Sequence, residues 1–446
     1  MEYNIENPYI QYMYSYPHKT AYRSLKNTDF GDSGINLADV INRLEGQENS
    51  LYIHIPFCQY KCGYCNLFSV VGQNIERMEQ YVEVMEKQAS QLAGIIPEHI
   101  SFADLTIGGG TPLILPEKFL SRVFDIARKY FSFEYGKRPV VVETSPNQTT
   151  EEKLRLLKSY GVTRVSIGVQ SFHEKELEML CRYHTPQAAR AAIEAIKHIG
   201  FPCMNIDIIY GIPEQTESSL LASLKQAIQY EPDELFVYPL YVKEGTTLYK
   251  KGIKRGDNAA NLYQCATAYL KENGYLQQSM RRFVRQKKTR LEPKNLCGFG
   301  NTLSIGCGGR SYLGNLHFCT PYAVGQEQCN QRLRTYMEQE DFLTITHGYI
   351  LSEDEQKRRY AVKHILFGKG IDKADYRAHF GEEVQRDFPM IDSWCQKGYA
   401  IVNDTHVTLT ESGIALSDYL GAQFISAEVA EKMEVWKRRY RDGSGN

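Results

Sequence analysis

The sequence predicts an α/β protein built around a partial (β/α)6 barrel of the TIM type, with an N-terminal arm and a C-terminal winged-helix-like domain. Six short segments rich in Val and Ile alternate with helical patterns between residues 51 and 284, as expected of parallel strands covered on both faces. The side chains best suited to chemistry stand directly after these segments, where such barrels carry their functional sites. The C-terminal part starts with a capped amphipathic helix and ends in a hairpin pattern.

The length of 446 residues is too great for one small core and indicates several domains. We divide the chain into an arm (1–50), the barrel (51–284), a Gly-rich connector with substrate-side elements (285–350) and a C-terminal helical, winged-helix-like domain (351–446). The arm is expected to pack over the barrel or to act as a lid above its site.

Composition narrows the class of protein. With 42% hydrophobic residues, 24% charged residues and a net charge of −1, the chain resembles an ordinary soluble protein and offers no electrostatic reason to bind nucleic acid or a membrane. The first residues lack the apolar core of a signal peptide. Most of the eleven cysteines are scattered, which favours reduced thiols. These observations predict a cytoplasmic protein.

The barrel elements are predicted from period and composition. Predicted strands cover 51–57, 103–108, 139–144, 164–170, 203–210 and 234–241. Predicted helices cover 75–93, 116–130, 151–160, 173–199, 217–230 and 258–273.

A loop with three cysteines follows the first predicted strand. Cys58, Cys62 and Cys65 have the spacing C-x3-C-x2-C, and thiolates bind both iron–sulfur clusters and zinc. A structural zinc site needs a fourth ligand, which His54 or a distant cysteine would supply. A 4Fe–4S cluster held by three cysteines leaves one iron open for another ligand. The loop alone permits both metals.

This loop and the residues before it resemble a known family. The spacing, with Tyr52, His54, Pro56 and Phe57 ahead of Cys58, resembles the radical S-adenosylmethionine (SAM) superfamily, and within it the oxygen-independent coproporphyrinogen III oxidase-like branch. The resemblance implies a 4Fe–4S cluster with cysteine ligands to three irons and SAM on the fourth. It also implies reductive cleavage of SAM to a 5′-deoxyadenosyl radical.

A glycine run follows the second predicted strand. Gly108, Gly109 and Gly110, with Thr111, let the main chain approach a ligand closely, although a tight turn would explain them equally well. They are similar to the segment that binds the amino group of SAM in the family.

Further SAM-binding residues are implied by the resemblance. Glu143 follows the third strand and, outside this context, could be a helix cap or a solvated acid. Gln170 ends the fourth strand, and Arg182 would otherwise be a solvated residue on a helix. Asp207 stands in an otherwise apolar strand, so a partner is expected for it. Tyr52 of the first strand completes this predicted cofactor-binding set.

The connector contains a second Gly-rich segment. Residues 306–311 resemble the family segment beside a second bound SAM, so Gly308 is predicted to bind a cofactor and two SAM molecules are expected. A cluster of β-turns is the alternative. The aromatic residues Tyr238 and Tyr241, at the end of the sixth strand, either line the substrate mouth or pack in the core.

The branch of the family is less sharply defined. Coproporphyrinogen oxidases carry a fourth cysteine where this chain has Leu67. Haem chaperones carry a Trp-containing haem-binding segment, but the two tryptophans of this chain, Trp394 and Trp436, both lie C-terminal to the place where that segment should fall. Two-SAM (class C) methyltransferases, cyclopropane-forming enzymes and haem-degrading enzymes share the barrel motifs. The sequence therefore leaves oxidoreductase, methyltransferase and non-enzymatic haem chaperone as alternatives.

The resemblance also implies partners. We expect a porphyrinogen-like or other bulky organic substrate, an electron donor such as flavodoxin or ferredoxin, and a monomeric protein.

Overall fold

The computed structural model describes residue 9 and residues 15–26, 33–286 and 299–441. The remaining parts of the predicted arm, connector and C-terminal domain lie outside the described residues.

The strands and helices, in chain order, have the following bounds. The strands are β1 Arg23–Ser24, β2 Ile35–Asn36, β3 Asn49–Ile55, β4 Phe102–Gly109, β5 Val140–Thr144, β6 Arg164–Gln170, β7 Cys203–Tyr210, β8 Glu234–Pro239, β9 Tyr275–Gln277, β10 Arg282–Arg285, β11 Asn301–Ile305, β12 Arg310–Leu313, β13 Leu316–Cys319, β14 Thr344–Ile345, β15 His347–Ile350, β16 Ile371–Asp372, β17 Ala400–Val402 and β18 His406–Leu409. The α-helices are α1 Ile75–Ala93, α2 Glu117–Phe131, α3 Glu151–Ser159, α4 Glu174–Met179, α5 Pro186–Ile199, α6 Glu217–Gln229, α7 Thr247–Lys250, α8 Ala259–Glu272, α9 Gln326–Met337, α10 Glu353–Ile365, α11 Lys373–Phe380, α12 Val384–Asp387, α13 Met390–Gln396, α14 Glu411–Ala415, α15 Ser417–Ala422 and α16 Ala427–Arg441. Short 3-10 helices cover Lys19–Ala21, Leu37–Asp39, Ile41–Leu44, Pro112–Ile114 and Pro146–Gln148.

One large sheet forms the centre of the molecule. Its strand order is β1-β15-β13-β12-β11-β3-β4-β5-β6-β7-β8-β10-β9, and β3 to β8 are the six predicted parallel strands. A seventh parallel strand, β11, pairs with β3 in front of them and was not predicted. Among the described residues the sheet does not close on itself, which confirms a partial barrel.

The apolar pattern explains why these strands are buried. Ile53, Ile107, Val142, Ile167 and Ile206 have no exposed surface and belong to one continuous core with the covering helices. Burying each such side chain contributes about 1.5–3 kcal/mol. The core therefore fixes the sheet and, with it, the loops at its carboxyl end.

The helix predicted over 173–199 is in fact two helices, α4 and α5. Cys181 adopts a left-handed backbone conformation with φ of 50°, which ends the first helix. Thr185 then caps the second helix by accepting a hydrogen bond from the backbone of Ala188, with Pro186 at its first position. Arg182 consequently lies in a loop and not on a helix, because the Thr-Pro start signal overrides the continuous helical pattern.

The C-terminal part has its own sheet, β16-β18-β17, and its own apolar core. The order of α10, β16, α11 to α13, β17 and β18 is winged-helix-like. Two buried polar contacts connect it to the rest of the molecule: Arg281 pairs with Asp418, and Tyr16 of the arm donates to Glu355. No helix among the described residues is long and apolar enough to cross a membrane.

Candidate functional site

A cavity of about 470 Å³ opens at the carboxyl ends of the parallel strands. It brings together most of the residues that the sequence singles out. The predicted residues on its wall are Cys58, Cys62, Cys65, Gly109, Gly110, Thr111, Glu143, Gln170, Arg182 and Asp207. Tyr238 and Tyr241 lie on the same wall.

Main-chain hydrogen bonds hold the cysteine loop in place. The N–H of Cys58 donates to Val70 O (2.9 Å), and the N–H of Gly63 donates to Leu180 O (2.8 Å). A Cβ on Gly63 would lie 3.0 Å from Leu180 O and 3.1 Å from Cys181 Sγ, so the loop meets the α4–α5 connection at close range. The thiols are therefore positioned by backbone contacts on two sides.

The electrostatics of the cysteine loop favour the binding of a cation. Burial, reinforced by the neighbouring Cys62, raises the pKa of Cys65 to about 12, and burial also raises the pKa of Cys58. The ionised form of neighbouring buried thiols is unfavourable unless a positive charge stabilises it, and iron would supply that charge. Arg182 supplies some of it, since its Nη1 donates to Cys62 Sγ at 3.0 Å and its Nη2 donates to Gly168 O.

The three thiols suit a cluster by their donor type. Among the described residues, no three His, Cys, Asp or Glu side chains converge to hold a single metal ion. A cubane does not require such convergence, because each thiolate binds its own iron.

Glycine is required where the second loop passes the cysteines. Gly109 has φ of +116°, and a Cβ there would lie 2.7 Å from the His54 ring. A Cβ on Gly110 would lie 2.5 Å from Phe57 O and 2.9 Å from Cys58 Sγ. The close approach of main chain to thiol therefore depends on these two residues.

Glu143 and Tyr52 meet beside this glycine loop. Glu143 Oε2 accepts a hydrogen bond from the Gly109 N–H (3.1 Å), and burial raises the pKa of Glu143. A Cβ on Gly108 would lie 2.6 Å from Glu143 Oε2 and 3.1 Å from the hydroxyl of Tyr52. Tyr52 and Gly108 thus lie behind the wall of the cavity and support Glu143 from there.

Asp207 has the partner that its buried position requires. Asn205 Nδ2 donates to Asp207 Oδ1 at 2.8 Å, yet burial still raises the pKa of Asp207 to about 7. A neutral amide orients the carboxyl group without neutralising it, so a cationic group arriving in the cavity would stabilise its ionised form.

Gln170 sits at an irregular strand end. Its φ is +74°, and the pairing of β6 with β7 shifts register between Gly168 and Gln170. A Cβ on Gly168 would lie 2.8 Å from Gln170 Nε2, so the side chain folds back over the glycine. The bulge directs both residues to the cavity.

Gly308 is not part of this wall. It has φ of +100°, and a Cβ would lie 2.6 Å from the ring of Phe68, so Gly308 packs against the end of the cysteine loop. The neighbouring Gly306 approaches the carbonyl of His54 in the same way. The second Gly-rich segment supports the site from behind, at the end of β11.

The cavity also has residues that the sequence interpretation missed. Ser166 and Ile209 line it. Ile209 lies two positions from Asp207 and Ser166 four positions from Gln170 on the same strands, so strand alternation would have found them. Tyr60 lines it too. Its hydroxyl and the Nε of Arg182 are buried without a hydrogen-bond partner among the described residues, which fits a wall that receives a polar ligand.

Comparison with known proteins finds one matching family model. Residues 52–227 match the family model described as the radical SAM superfamily. The chain carries a radical SAM domain. All three loop cysteines and the predicted cofactor-binding residues on the cavity wall belong to the matched range.

Relatives of the radical SAM domain extend the likeness to almost the whole chain. Oxygen-independent coproporphyrinogen III oxidase from Escherichia coli is 26% identical over 427 residues, covering 90% of this chain and 91% of that protein. Heme chaperone HemW from Bacillus subtilis is 25% identical over 386 residues, covering 84% of this chain and 99% of that protein. The solved structure of coproporphyrinogen III oxidase from Escherichia coli superposes with a TM-score of 0.74 at 22% identity, covering 87% and 92% of the two chains, which shows a shared fold.

Proposed function

We propose that this protein is an enzyme that reductively cleaves SAM at a 4Fe–4S cluster and acts on a porphyrinogen-like or other bulky organic substrate. The observation that carries this proposal is that the three cysteines, the glycine loop and the carboxyl groups of Glu143 and Asp207 line one cavity. Cluster and SAM together supply a 5′-deoxyadenosyl radical that abstracts hydrogen from the substrate. Cys58, Cys62 and Cys65 are the proposed iron ligands.

The protein's part in the reaction is to hold charges in place. Arg182 offsets the negative charge of the Cys62 thiolate, while Gly109 and Gly110 bring main-chain groups within reach of SAM. Glu143 and Asp207 offer carboxylates to the cationic groups of SAM, and burial strengthens that attraction. The tyrosines at the mouth limit the access of water to the radical chemistry.

The reaction after hydrogen abstraction has two candidates. The extensive likeness to oxygen-independent coproporphyrinogen III oxidase supports oxidative decarboxylation of a porphyrinogen propionate. Leu67 supports the other candidate, a class C methyltransferase, cyclopropane-forming or haem-degrading reaction. It stands where the oxidases carry a fourth cysteine, and it lies on the cavity wall with half of its surface exposed. For either reaction we propose two bound SAM molecules, with Gly308 beside the second.

A non-enzymatic haem chaperone is the remaining alternative. It is supported by the relative Heme chaperone HemW, of which this chain spans 99%. Such a protein would bind haem stoichiometrically without turning over SAM. We further propose that the protein is a cytoplasmic monomer that receives electrons from flavodoxin or ferredoxin.

Anaerobic turnover distinguishes these functions. The reconstituted, reduced protein is incubated with methyl-deuterated SAM, alone and then with coproporphyrinogen III or haem, and both 5′-deoxyadenosine and S-adenosylhomocysteine are quantified. Deoxyadenosine with release of carbon dioxide supports the oxidase reaction. Deoxyadenosine with S-adenosylhomocysteine and a labelled product supports methyl transfer. Neither product, together with tight haem binding, refutes the enzyme proposal.

A variant tests the iron ligands. Cys62→Ala should lose the iron–sulfur absorption and the acid-labile sulfide, whereas Cys265→Ala, which removes a thiol on α8 far from the loop, should retain both. An intact cluster in the first variant contradicts the ligand assignment.

A further inference from the structure

A second set of polar side chains lies beside the cavity, on the β12–β13 hairpin. Arg310 pairs with Cys319 across the hairpin, and Tyr312 pairs with His317, so the four side chains share one face. The arm lies against the same region, because the guanidinium of Arg310 is 5.7 Å from the ring centre of Tyr22. The hairpin and the arm together form a half-buried cationic face.

In the described part of the chain, the cations on this face have no carboxylate counter-charge. Lys19 of the arm and Arg310 are both half-buried, and burial together with Arg310 lowers the pKa of Lys19 to about 8. Neither residue forms an ion pair with a carboxylate in the part of the chain that the structure describes. Cations held close together away from water are costly unless an anion joins them.

A buried histidine points to the same conclusion. His317 has no exposed surface, and neither of its ring nitrogens has a hydrogen-bond partner among the described residues. Its ring centre is 4.4 Å from that of Tyr312, whose hydroxyl accepts a hydrogen bond from Arg310 at 2.8 Å. Buried polar atoms normally have hydrogen-bond partners, so the two ring nitrogens of His317 are available to bind a polar ligand.

The cationic face adjoins the radical SAM cavity. Arg310 directly follows the turn whose Gly306 approaches the carbonyl of His54, and the ring of His54 backs the cavity wall at Gly109. On the other side, Lys61 of the cysteine loop lines the cavity and donates to Val324 O at 2.8 Å. Tyr322, two residues before Val324, lies 5.2 Å under the ammonium of Lys19.

The neighbouring aromatic rings indicate what kind of anion would fit. Tyr22, Tyr312 and Tyr322 flank the two cations within 6 Å, so a flat apolar body could lie on the rings while its anionic edge meets the cations. A free inorganic anion would use the charges but not the rings.

We propose that Lys19, Arg310 and His317 form a binding site for carboxylate groups at the edge of the substrate. This inference rests on the proposed function, since it names the part of the substrate that the cavity itself does not hold. The carboxylates would receive charge-assisted hydrogen bonds from the arm and from the hairpin simultaneously. These residues would act as positioning residues that orient the substrate body toward the cavity mouth.

The test is equilibrium binding and does not depend on turnover. Coproporphyrin III, which carries four carboxylates, and its tetramethyl ester are titrated into the full-length reconstituted protein, and binding is followed by porphyrin fluorescence. Arg310→Met is compared with wild type, with the charge-preserving Arg310→Lys, and with Arg334→Met, which removes an exposed arginine on α9. Lys19→Met tests the contribution of the arm.

The expected result depends on charge. Arg310→Met and Lys19→Met each weaken coproporphyrin III binding about tenfold, as loss of one hydrogen bond to a charged group predicts, while binding of the ester is unchanged. Arg310→Lys retains most of the affinity, and Arg334→Met behaves as wild type. Equal affinity of wild type and both Met variants for coproporphyrin III overturns the proposal, as does an equal loss for acid and ester.

SAM itself carries a carboxylate, so a second arm of the experiment measures binding of radiolabelled SAM to the same variants. Reduced SAM binding with unchanged coproporphyrin binding overturns the substrate assignment. Wild type is also assayed for formation of 5′-deoxyadenosine without porphyrin. If wild type forms none while porphyrin binding still follows charge, the proposed enzyme function fails and the carboxylate site stands.

Discussion

Replacement of Arg182 by Met should lower the reduction potential of the cluster. Arg182 Nη1 lies 3.0 Å from Cys62 Sγ, in a site largely shielded from water. A hydrogen bond to a charged group contributes about 1.5–3 kcal/mol, and the added electron is shared by four irons, so we take the lower end, about 1.5 kcal/mol. Because 1.4 kcal/mol corresponds to about 59 mV for one electron, the expected decrease is roughly 60 mV.

The measurement is a potentiometric titration of the reconstituted protein without SAM, monitored by the electron paramagnetic resonance signal of the reduced cluster. Arg182→Lys retains the charge but not the planar geometry, so its potential should lie between those of wild type and Arg182→Met. A full cluster complement in Arg182→Met with an unchanged or higher potential would refute the reasoning, because the Arg182–Cys62 contact would then not act on the reduced state.

Three further predictions follow from burial and close packing. SAM affinity, measured by equilibrium dialysis, should fall about tenfold per pH unit below roughly pH 7. The reason is that Asp207 must be ionised to attract a cation, and burial raises its pKa to about 7. Asp207→Asn should remove most of this pH dependence. Gly308→Ala should destabilise the protein by about 1–3 kcal/mol in thermal unfolding, since its φ is +100° and Phe68 leaves no room for a Cβ. Arg281→Leu should cost about 3–5 kcal/mol in urea unfolding, since Asp418 is left buried without its guanidinium partner.

Each of these has a matched control. Gly398→Ala, at φ of +72° with open space around it, should cost about 1 kcal/mol or less, and an equal loss at Gly308 would contradict the packing argument. The double variant Arg281→Leu with Asp418→Leu should recover much of the lost stability, because it removes both charges. If it is less stable than Arg281→Leu alone, charge burial is not the cause. A SAM affinity that is flat between pH 6 and 8 in wild type would exclude ionisation of Asp207 as the control of binding.

Local sequence patterns were sufficient for the six parallel strands. Each is a short, largely apolar segment of strand length that ends at a Gly, Pro or polar residue, so period and composition determine it without knowledge of its neighbours. Asp207 was likewise recognisable as a buried acid, and the structure confirms that it has a partner, Asn205, two positions earlier on the same strand.

Features that depend on distant contacts were not predictable in this way. Strand β11, Asn301–Ile305, has only two large apolar residues among polar ones, and its extended form is fixed by pairing with β3. The role of Arg182 depends on a loop that brings it to Cys62, 120 positions away in sequence. The Thr185-Pro186 pair that starts α5, and so leaves Arg182 in a loop, is a local helix-start signal in the sequence. It would have predicted two helices instead of one over 173–199.

The position of β11 has a consequence for synthesis of the chain. The edge of β3 that β11 covers, from Asn49 to Ile53, leaves the ribosome about 250 residues before its partner, which at about 5–20 residues per second is a delay of roughly 12 to 50 s. During that interval the strand leading into the cysteine loop has an open edge, which can pair with other nascent chains and cause aggregation. A chain that stops before Asn301 keeps that edge open permanently, because β3 then has no partner on the side that β11 covers.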